Sequence, residues 1–260
     1  MKVYALVLAR DKGQVKDKIS ELEAIKIPFT VVCGEKFDDK RVQHREPKGK
    51  YDAINFGSRF IPENTEVVLM NDVDTTIFNL APSLRRFMNT QTGLVYSEVR
   101  VTSGPQESFY KLLDFIRRRI PVAASGELLL IRKNLLLDMI PLKPCKAEDS
   151  YIMFKVLETK MNVVFSDQTY VTTIRTQSHE EEENYKRRTV GGLYQALGMT
   201  NPPLTVKAFY TLLPFASPLL LVLGKKGYHW MRGILRGYVD YLRGDATGHW
   251  KQTYQVIEGR

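Results

Sequence analysis

Short runs of consecutive apolar residues alternate with amphipathic segments through the first 170 residues of the chain. Such runs are typical of strands covered on both faces, and they lie at 3–8, 29–33, 66–70, 93–97, 126–131 and 163–165. Apolar residues at helical spacing predict helices at 15–25, 109–119 and 149–160. This alternation favours an α/β fold with a mostly parallel sheet flanked by helices.

The pattern changes after Asn201-Pro202-Pro203, where an apolar segment begins. Residues 208–223 carry no charged side chain. As a helix this segment is about 24 Å long, whereas the hydrocarbon core of a bilayer is roughly 30 Å thick. Pro214 and Pro218 also interrupt it, so the sequence favours a broken interfacial or re-entrant hairpin over a membrane-spanning helix.

The last segment, residues 230–243, has the pattern of a surface helix. One predicted face is apolar, and the other carries Arg232, Arg236 and Arg243. Such a helix can lie in a membrane surface with its cations toward lipid phosphates, or it can pack on the protein's own core. We therefore expect a catalytic domain over residues 1–204 and a C-terminal helical, membrane-associating segment over 205–260.

Composition and the first residues of the chain predict its cellular location and the charge of its partners. Thirty-eight Lys and Arg against 29 Asp and Glu give a formal charge of +9, which favours anionic partners such as nucleic acid, phosphorylated small molecules or acidic lipids. Two cysteines are too few for a disulfide framework, so a reducing compartment is expected. The first residues resemble a strand and not a signal peptide. We expect a cytoplasmic protein, peripheral on the inner face of the cell membrane.

Two carboxylates follow the third apolar run. Asp72 and Asp74 are two positions apart, which places them on the same side at the carboxyl end of a strand, where α/β proteins bind ligands. Such a pair can hold Mg²⁺ or Mn²⁺, and the cation can bridge the phosphates of a nucleotide. A polar turn after a strand is the simpler interpretation of the pair alone.

Two further segments carry candidate chemistry, each with a structural alternative. Gly49 lies between Lys48 and Lys50 before a predicted helix, so it provides either a diphosphate cradle or a solvated basic turn. Glu148 and Asp149 open another helix, where acids either cap the helix dipole or supply a general base.

Taken together, the order and spacing of these segments are distinctive. They are Lys50-x-x-Ala53-x-Asn55-x-Gly57, Asp72-Val73-Asp74, Gly126 through Arg132-Lys133, Glu148-Asp149, and Tyr185 to Gly192. Over residues 3–197 the chain resembles family 2 glycosyltransferases, inverting enzymes of the GT-A fold that include hyaluronan and cellulose synthases and dolichyl-phosphate sugar synthases. The resemblance implies a GT-A-type sheet with a Rossmann-like nucleotide-binding half.

The resemblance also implies a role for particular residues. Asp74, with Asp72, would bind a divalent metal and the nucleotide-diphosphate sugar donor, and Asp149 would deprotonate the acceptor. Lys50 and Arg188 would stabilise the departing diphosphate. The remaining expected donor-binding residues, which would line the nucleotide pocket, are Arg10 and Glu35.

Departures from the family pattern modify these expectations. Where processive members have Q-x-x-R-W, this chain has Tyr185 and Thr189 in place of the glutamine and tryptophan, which argues against processive polymerisation. The expected reaction is therefore transfer of a single sugar. The basic, apolar C-terminal segment suggests a lipid-linked acceptor.

Two other functions compete with this interpretation. A sugar-phosphate nucleotidyltransferase would use similar carboxylates, but it needs a glycine-rich loop after the first strand, and residues 8–14 make a poor one. A nucleic-acid-binding protein would fit the charge and Arg117-Arg118-Arg119, but no zinc spacing, helix-turn-helix or RNA-recognition signature accompanies them.

Overall fold

The computed structural model describes residues 1–102, 107–174 and 178–245. Within these ranges the chain forms one eight-stranded sheet of order β3-β2-β1-β4-β7-β6-β8-β5. The strands are β1 (Val3–Ala9), β2 (Phe29–Cys33), β3 (Val42–His44), β4 (Val67–Asp72), β5 (Thr76–Phe78), β6 (Thr92–Val101), β7 (Leu128–Arg132) and β8 (Asn162–Thr173). The expected α/β fold is confirmed, and the sheet is mixed.

The first half of the sheet is parallel. β1 lies between β2 and β4, and all three run in the same direction, as does β3. β7 then runs antiparallel to both of its neighbours, β4 and β6, and β5 is antiparallel to β8. Alternation of apolar runs and helices does not record strand direction, so the sequence could not distinguish these antiparallel pairs from parallel ones.

Helices cover both faces of the sheet. They are α1 (Val15–Ala24), α2 (Lys50–Gly57), α3 (Ala81–Arg86), α4 (Glu107–Arg117), α5 (Lys133–Asp138), α6 (Glu148–Glu158), α7 (His179–Gly198), α8 (Leu204–Ala216) and α9 (Lys225–Leu242). One apolar core joins the sheet to α2, α5, α6 and α7, and a second joins the opposite face to α1 and α4. This covering explains why strands such as β2 are buried at every position.

Four consecutive acids at 180–183 predict either a solvated flap or the start of a helix. They lie in the first turns of α7. Ser178 caps this helix by accepting a hydrogen bond from the Glu181 N–H at 3.1 Å. Glu183 is buried, and its carboxylate contacts His229 and Arg236 of α9. Glu183 therefore joins α7 to α9.

α9 packs along α7 at very short range. A Cβ atom on Gly237 would lie 2.5 Å from the carbonyl oxygen of Arg187, so only glycine permits this approach. Arg187 also pairs with Asp240 of α9 at 2.5 Å. α9 thus packs on the protein core, and Arg232 and Arg236, which could have faced lipid phosphates, lie beside Glu183.

The segment Leu204–Leu223, here called the apolar arm, comprises α8 and a following 3-10 helix over Ser217–Leu223. By length and composition it is the one helical segment among the described residues that could cross a membrane. Its buried stripe of Val206, Tyr210, Pro214 and Ser217 faces the protein. Val206 and Tyr210 belong to the main core, and the division of the chain at residue 204 stays a sequence prediction.

Candidate functional site

A cavity of about 880 Å³ opens at the carboxyl ends of β1 and β4. Charged side chains from segments that are distant in the chain line part of it. They include Arg10, Lys50, Asp72, Asp74, Glu148, Asp149 and Arg188. Asp72, Asp74 and Asp149 therefore lie on the walls of one cavity, as the sequence pattern requires, although their chemical roles stay predictions.

A buried lysine, Lys18, binds the turn that follows β4. Lys18 of α1 is 2% exposed, and its Nζ donates hydrogen bonds to Asn71 Oδ1 at 2.8 Å and to the carbonyl of Thr75. It also pairs with Glu21 at 2.7 Å. Burial lowers the pKa of Lys18, and the carboxylate of Glu21 opposes that shift. Lys18 thus connects both ends of the turn that carries Asp72 and Asp74.

Sequence reasoning missed Lys18, although a signal was present. Lys18 lies on the same helical face as Val15, Ile19 and Leu22, which are all buried. A lysine on the apolar face of a helix requires a partner, because an unpaired buried charge is strongly unfavourable. That position alone identifies Lys18 as a candidate for a buried polar contact.

Lys50 connects the basic turn to the acidic turn. It is the first residue of α2 and follows Gly49, whose φ of 113° favours glycine. Its Nζ lies 2.5 Å from Asp72 Oδ2. Burial acts to lower the pKa of Lys50, but Asp72 and Glu148 outweigh it and raise the pKa above its usual value. Lys50 is therefore a fixed cation inside the cavity.

Glu148 and Asp149 are the first two residues of α6, and both line the same cavity. Glu148 is buried, Asp149 is half-buried, and Asp149 Oδ1 accepts a hydrogen bond from the Ser150 N–H at 2.6 Å. Burial raises the pKa of both carboxyl groups, since it disfavours their charged forms, and Lys50 opposes the shift. A carboxylate with a raised pKa in a cleft is suited to accept a proton.

The remaining predicted residues divide into two groups. Arg10 and Arg188 line the cavity, from the end of β1 and from α7 respectively. Glu35 is not among the lining residues; its carboxylate accepts a hydrogen bond from the Lys12 N–H at 3.4 Å. Its contact with the nucleotide base stays a prediction.

Asp72 and Asp74 alone provide too few oxygen ligands for a divalent metal. The remaining oxygens would come from substrate phosphates and water. Among the described residues, no group of three or more His, Cys, Asp or Glu side chains is arranged to hold a metal ion. Mg²⁺ commonly uses one or two carboxylates and takes its other oxygens from substrate phosphates and water. Asp72 and Asp74 fit that type of site, since both line a cavity large enough for a nucleotide.

Comparison with solved structures identifies the architecture. The structure of a mannosyltransferase from Pyrobaculum calidifontis in complex with GDP-Man and Mn²⁺ matches with a TM-score of 0.70 and 16% identity, over 93% of this chain and 87% of that chain. The chain has the GT-A fold.

Two other structures resemble this GT-A chain. S. aureus TarS 1-349 matches with a TM-score of 0.51 and 15% identity, over 94% of this chain and 92% of that one. The M. tuberculosis glucosyl-3-phosphoglycerate synthase matches with a TM-score of 0.51 and 14% identity, over 78% and 81% of the two chains. No protein-family model and no curated protein sequence matches the chain. The likeness establishes the fold.

Proposed function

We propose that the protein is a metal-dependent, inverting glycosyltransferase that moves one sugar from a nucleotide-diphosphate sugar to an acceptor. The observation that carries this proposal is the convergence of Lys50, Asp72, Asp74 and Asp149 on one cavity in a GT-A fold. The structurally similar mannosyltransferase from Pyrobaculum calidifontis was solved with a nucleotide sugar and Mn²⁺.

The part of the cavity that would bind the sugar donor can supply positive charge to the diphosphate. Asp72 and Asp74 would hold Mg²⁺ or Mn²⁺, which when bound supplies positive charge next to the diphosphate. Lys50 and Arg188 add two cations of the chain itself to the lining of the same cavity. Negative charge grows on the diphosphate as it leaves, so fixed cations there stabilise the transition state more than the ground state.

Asp149 is the proposed general base. Its carboxylate accepts the proton of the acceptor oxygen as that oxygen attacks the anomeric carbon, and the bond to the diphosphate breaks on the opposite face. Such a single displacement inverts the anomeric centre and needs one base. The raised pKa of Asp149 favours proton uptake at the moment of attack.

The acceptor is proposed to be lipid-linked, and the enzyme to act at the inner face of the cell membrane. The exposed apolar side chains of the arm and the positive net charge of the chain support this part of the proposal.

Donor binding and sugar transfer provide separate tests. Purified protein is screened by thermal shift against nucleoside diphosphates with and without Mn²⁺, since a bound ligand raises the apparent stability. The nucleoside diphosphate that stabilises the protein most identifies the nucleobase of the donor. With a nucleotide sugar that carries this nucleobase, the enzyme should release nucleoside diphosphate. Release of pyrophosphate from a nucleoside triphosphate and a sugar phosphate would show a nucleotidyltransferase instead.

The assignment of the base needs a matched pair of variants. Asp149→Asn should keep donor binding and lower transfer by roughly 10²–10⁴-fold. Asp138→Asn changes an exposed aspartate at the end of α5 and should leave transfer unchanged. Transfer by Asp149→Asn at the wild-type rate would exclude Asp149 as the base.

A further inference from the structure

The cavity extends beyond the polar cleft into an apolar chamber. Its apolar wall comes from α4, the apolar arm and α9, and includes Leu112, Leu113, Ile116, Phe209, Leu213 and Leu220. A nucleotide and a sugar are polar and need no such wall. The chamber therefore has the chemistry of a site for the hydrocarbon part of an amphiphile.

Two exposed apolar faces belong to the same elements as this wall. On the arm, Phe215 is 78% exposed and Val222 is 85% exposed, and Leu212 and Leu219 are exposed beside them. On α4, Phe115 is 58% exposed. Several exposed large apolar side chains on neighbouring turns of one helical segment favour an interaction site there.

α4 is anchored next to the arm and the start of α9. The rings of Phe109 and Trp230 are in edge-to-face contact with centroids 4.9 Å apart. Lys226 is close enough to Glu107 to contribute to lowering the pKa of that carboxyl, an effect in which the Lys111 ion pair is the larger cause. Residues of both α4 and the arm line the cavity, so the two exposed faces belong to elements that border one chamber.

The buried stripe of the arm determines how it can meet a membrane. Tyr210 is 1% exposed, its hydroxyl donates a hydrogen bond to the carbonyl of Val122, and its ring contacts Phe154 and Tyr194. A helix held to the protein along one side cannot cross a bilayer without carrying charged surface into it. The arm is instead arranged to lie in the interface, with its opposite side in the lipid.

Cations border these faces. Lys225 and Lys226 follow the arm after Gly224, and Arg119 lies two residues beyond α4; all three are exposed. Basic side chains beside an apolar face favour a surface with negative charge. This complementarity selects an anionic bilayer over a neutral apolar partner.

From these observations we infer that the exposed faces of α4 and the apolar arm rest on an anionic lipid bilayer, and that the apolar chamber receives the hydrocarbon chain of an acceptor drawn from that bilayer. The inference rests on the proposed function for the identity of the acceptor. The membrane contact itself is independent of sugar transfer.

The membrane contact is tested by sedimentation of the full-length chain with vesicles of phosphatidylglycerol and phosphatidylcholine. The double variant Phe215→Asp/Val222→Asp should reduce the bound fraction by about tenfold, since it places two charges in the apolar face. Met88→Asp is the matched control, because Met88 is 82% exposed outside both faces, and it should bind like wild type. Equal binding by all three proteins, or no binding by wild type, would overturn the inference.

The charge complementarity is tested with the same vesicles. Lys225→Glu/Lys226→Glu should weaken binding by about tenfold, whereas the exposed pair Lys36→Glu/Lys40→Glu should leave it unchanged. Vesicles of phosphatidylcholine alone should bind wild type weakly. Equal binding of wild type to both vesicle types would contradict the anionic preference.

The chamber is tested with parinaric acid, whose fluorescence rises in apolar surroundings. Leu213→Trp adds bulk in the chamber and should abolish the signal, and Leu137→Trp adds the same bulk at an exposed site on α5. An equal signal from both variants would exclude the chamber as the site.

A second copy of the chain is the competing occupant of these faces. Dimers of wild type that Phe215→Asp/Val222→Asp dissociates, with no vesicle binding, would overturn the membrane proposal. Vesicle binding without nucleotide-sugar turnover would instead contradict the proposed function and leave the membrane contact standing.

Discussion

Gly126 lies directly against the carboxylate of Asp149. A Cβ atom on Gly126 would be 3.1 Å from Asp149 Oδ2. The two residues are brought together at the wall of the cavity, where Gly126 precedes β7 and Asp149 opens α6. The absence of a side chain at 126 thus leaves the space that the Asp149 carboxylate occupies.

Gly126→Ala should lower kcat by displacing this carboxylate. The carboxylate must move by a few tenths of an ångström to make room for the methyl group. Because a shift of about 1 Å in a reacting group can cost roughly 10²-fold in rate, we expect a smaller loss, of about 2–10-fold. The dissociation constant of the nucleoside diphosphate, measured by calorimetry, should not change, because the donor is bound by other residues. An unchanged kcat would mean that the position of Asp149 does not matter for transfer.

Lys18→Met should weaken metal binding, although Lys18 is not itself a proposed metal ligand. The variant loses the hydrogen bonds to Asn71 and Thr75 that hold the turn carrying Asp72 and Asp74. We expect the Mn²⁺ concentration for half-maximal activity to rise by about 10–100-fold, the range typical of residues that orient ligands. Lys16→Met, an exposed lysine of the same helix, is the control.

A purely structural role for Lys18 makes a different prediction. The melting temperature of Lys18→Met would then fall, but the Mn²⁺ concentration for half-maximal activity, measured on the folded protein, would equal the wild-type value. That result would exclude Lys18 as a positioning residue.

The acid limb of the pH–activity profile should report Asp149. A base must be deprotonated, so activity falls as the pH drops through its pKa. Burial raises the pKa of Asp149, so the limb should lie above the pKa of an ordinary aspartate. Arg117, a buried cation that faces the same cavity, favours the charged form and opposes this rise.

Arg117→Gln should therefore move the acid limb to higher pH. Arg118→Gln, at an exposed residue directly after the same helix, should leave it in place. Profiles of kcat/KM for the three proteins measure the shift, and circular dichroism melts identify loss of the Arg117–Asp114 pair as a separate effect on stability. A shift to lower pH in Arg117→Gln would contradict the assignment of Asp149.

Gly237→Val should separate α9 from α7. The new side chain would clash with the carbonyl of Arg187, and overpacking of this type costs about 1–3 kcal/mol or more. Val239→Ala removes a partly exposed side chain from the same helix and should cost less. Urea unfolding of the two variants measures the difference; equal free energies would show that the helices are not in close contact.

Much of the fold could be predicted because its signals are local. β1, β2 and β4 are continuous apolar runs, and they were predicted within one or two residues of their observed bounds. Only the acidic start of α7 was considered as a helix, with a solvated flap as the alternative, since the later residues of α7 are polar and glycine-rich. β8 was predicted as three residues but spans twelve. After a register shift between Ser97 and Glu98 of β6, the two strands pair again, and this second stretch of pairing extends β8 to Thr173.

The candidate site was predictable only where several motifs combined. Asp72-Val73-Asp74 and Glu148-Asp149 are weak patterns alone. Their order and spacing along the chain, together with the other motifs, made the family resemblance specific. The Arg132-Lys133 pair belongs to the same pattern, yet Arg132 donates a hydrogen bond to the Thr92 carbonyl at 2.7 Å and Lys133 bonds the loop before β4. A motif residue can therefore have a structural role.

By itself, the sequence determined which segments are buried and where the acids and cations lie along the chain, because apolar periodicity and residue spacing are properties of neighbours in sequence. The tertiary structure alone decided that Lys18 supports the acidic turn and that Glu183 joins α7 to α9. These contacts form between residues 46 to 57 positions apart. Burial and ion pairing depend on which surfaces meet, and only the folded chain brings those surfaces together.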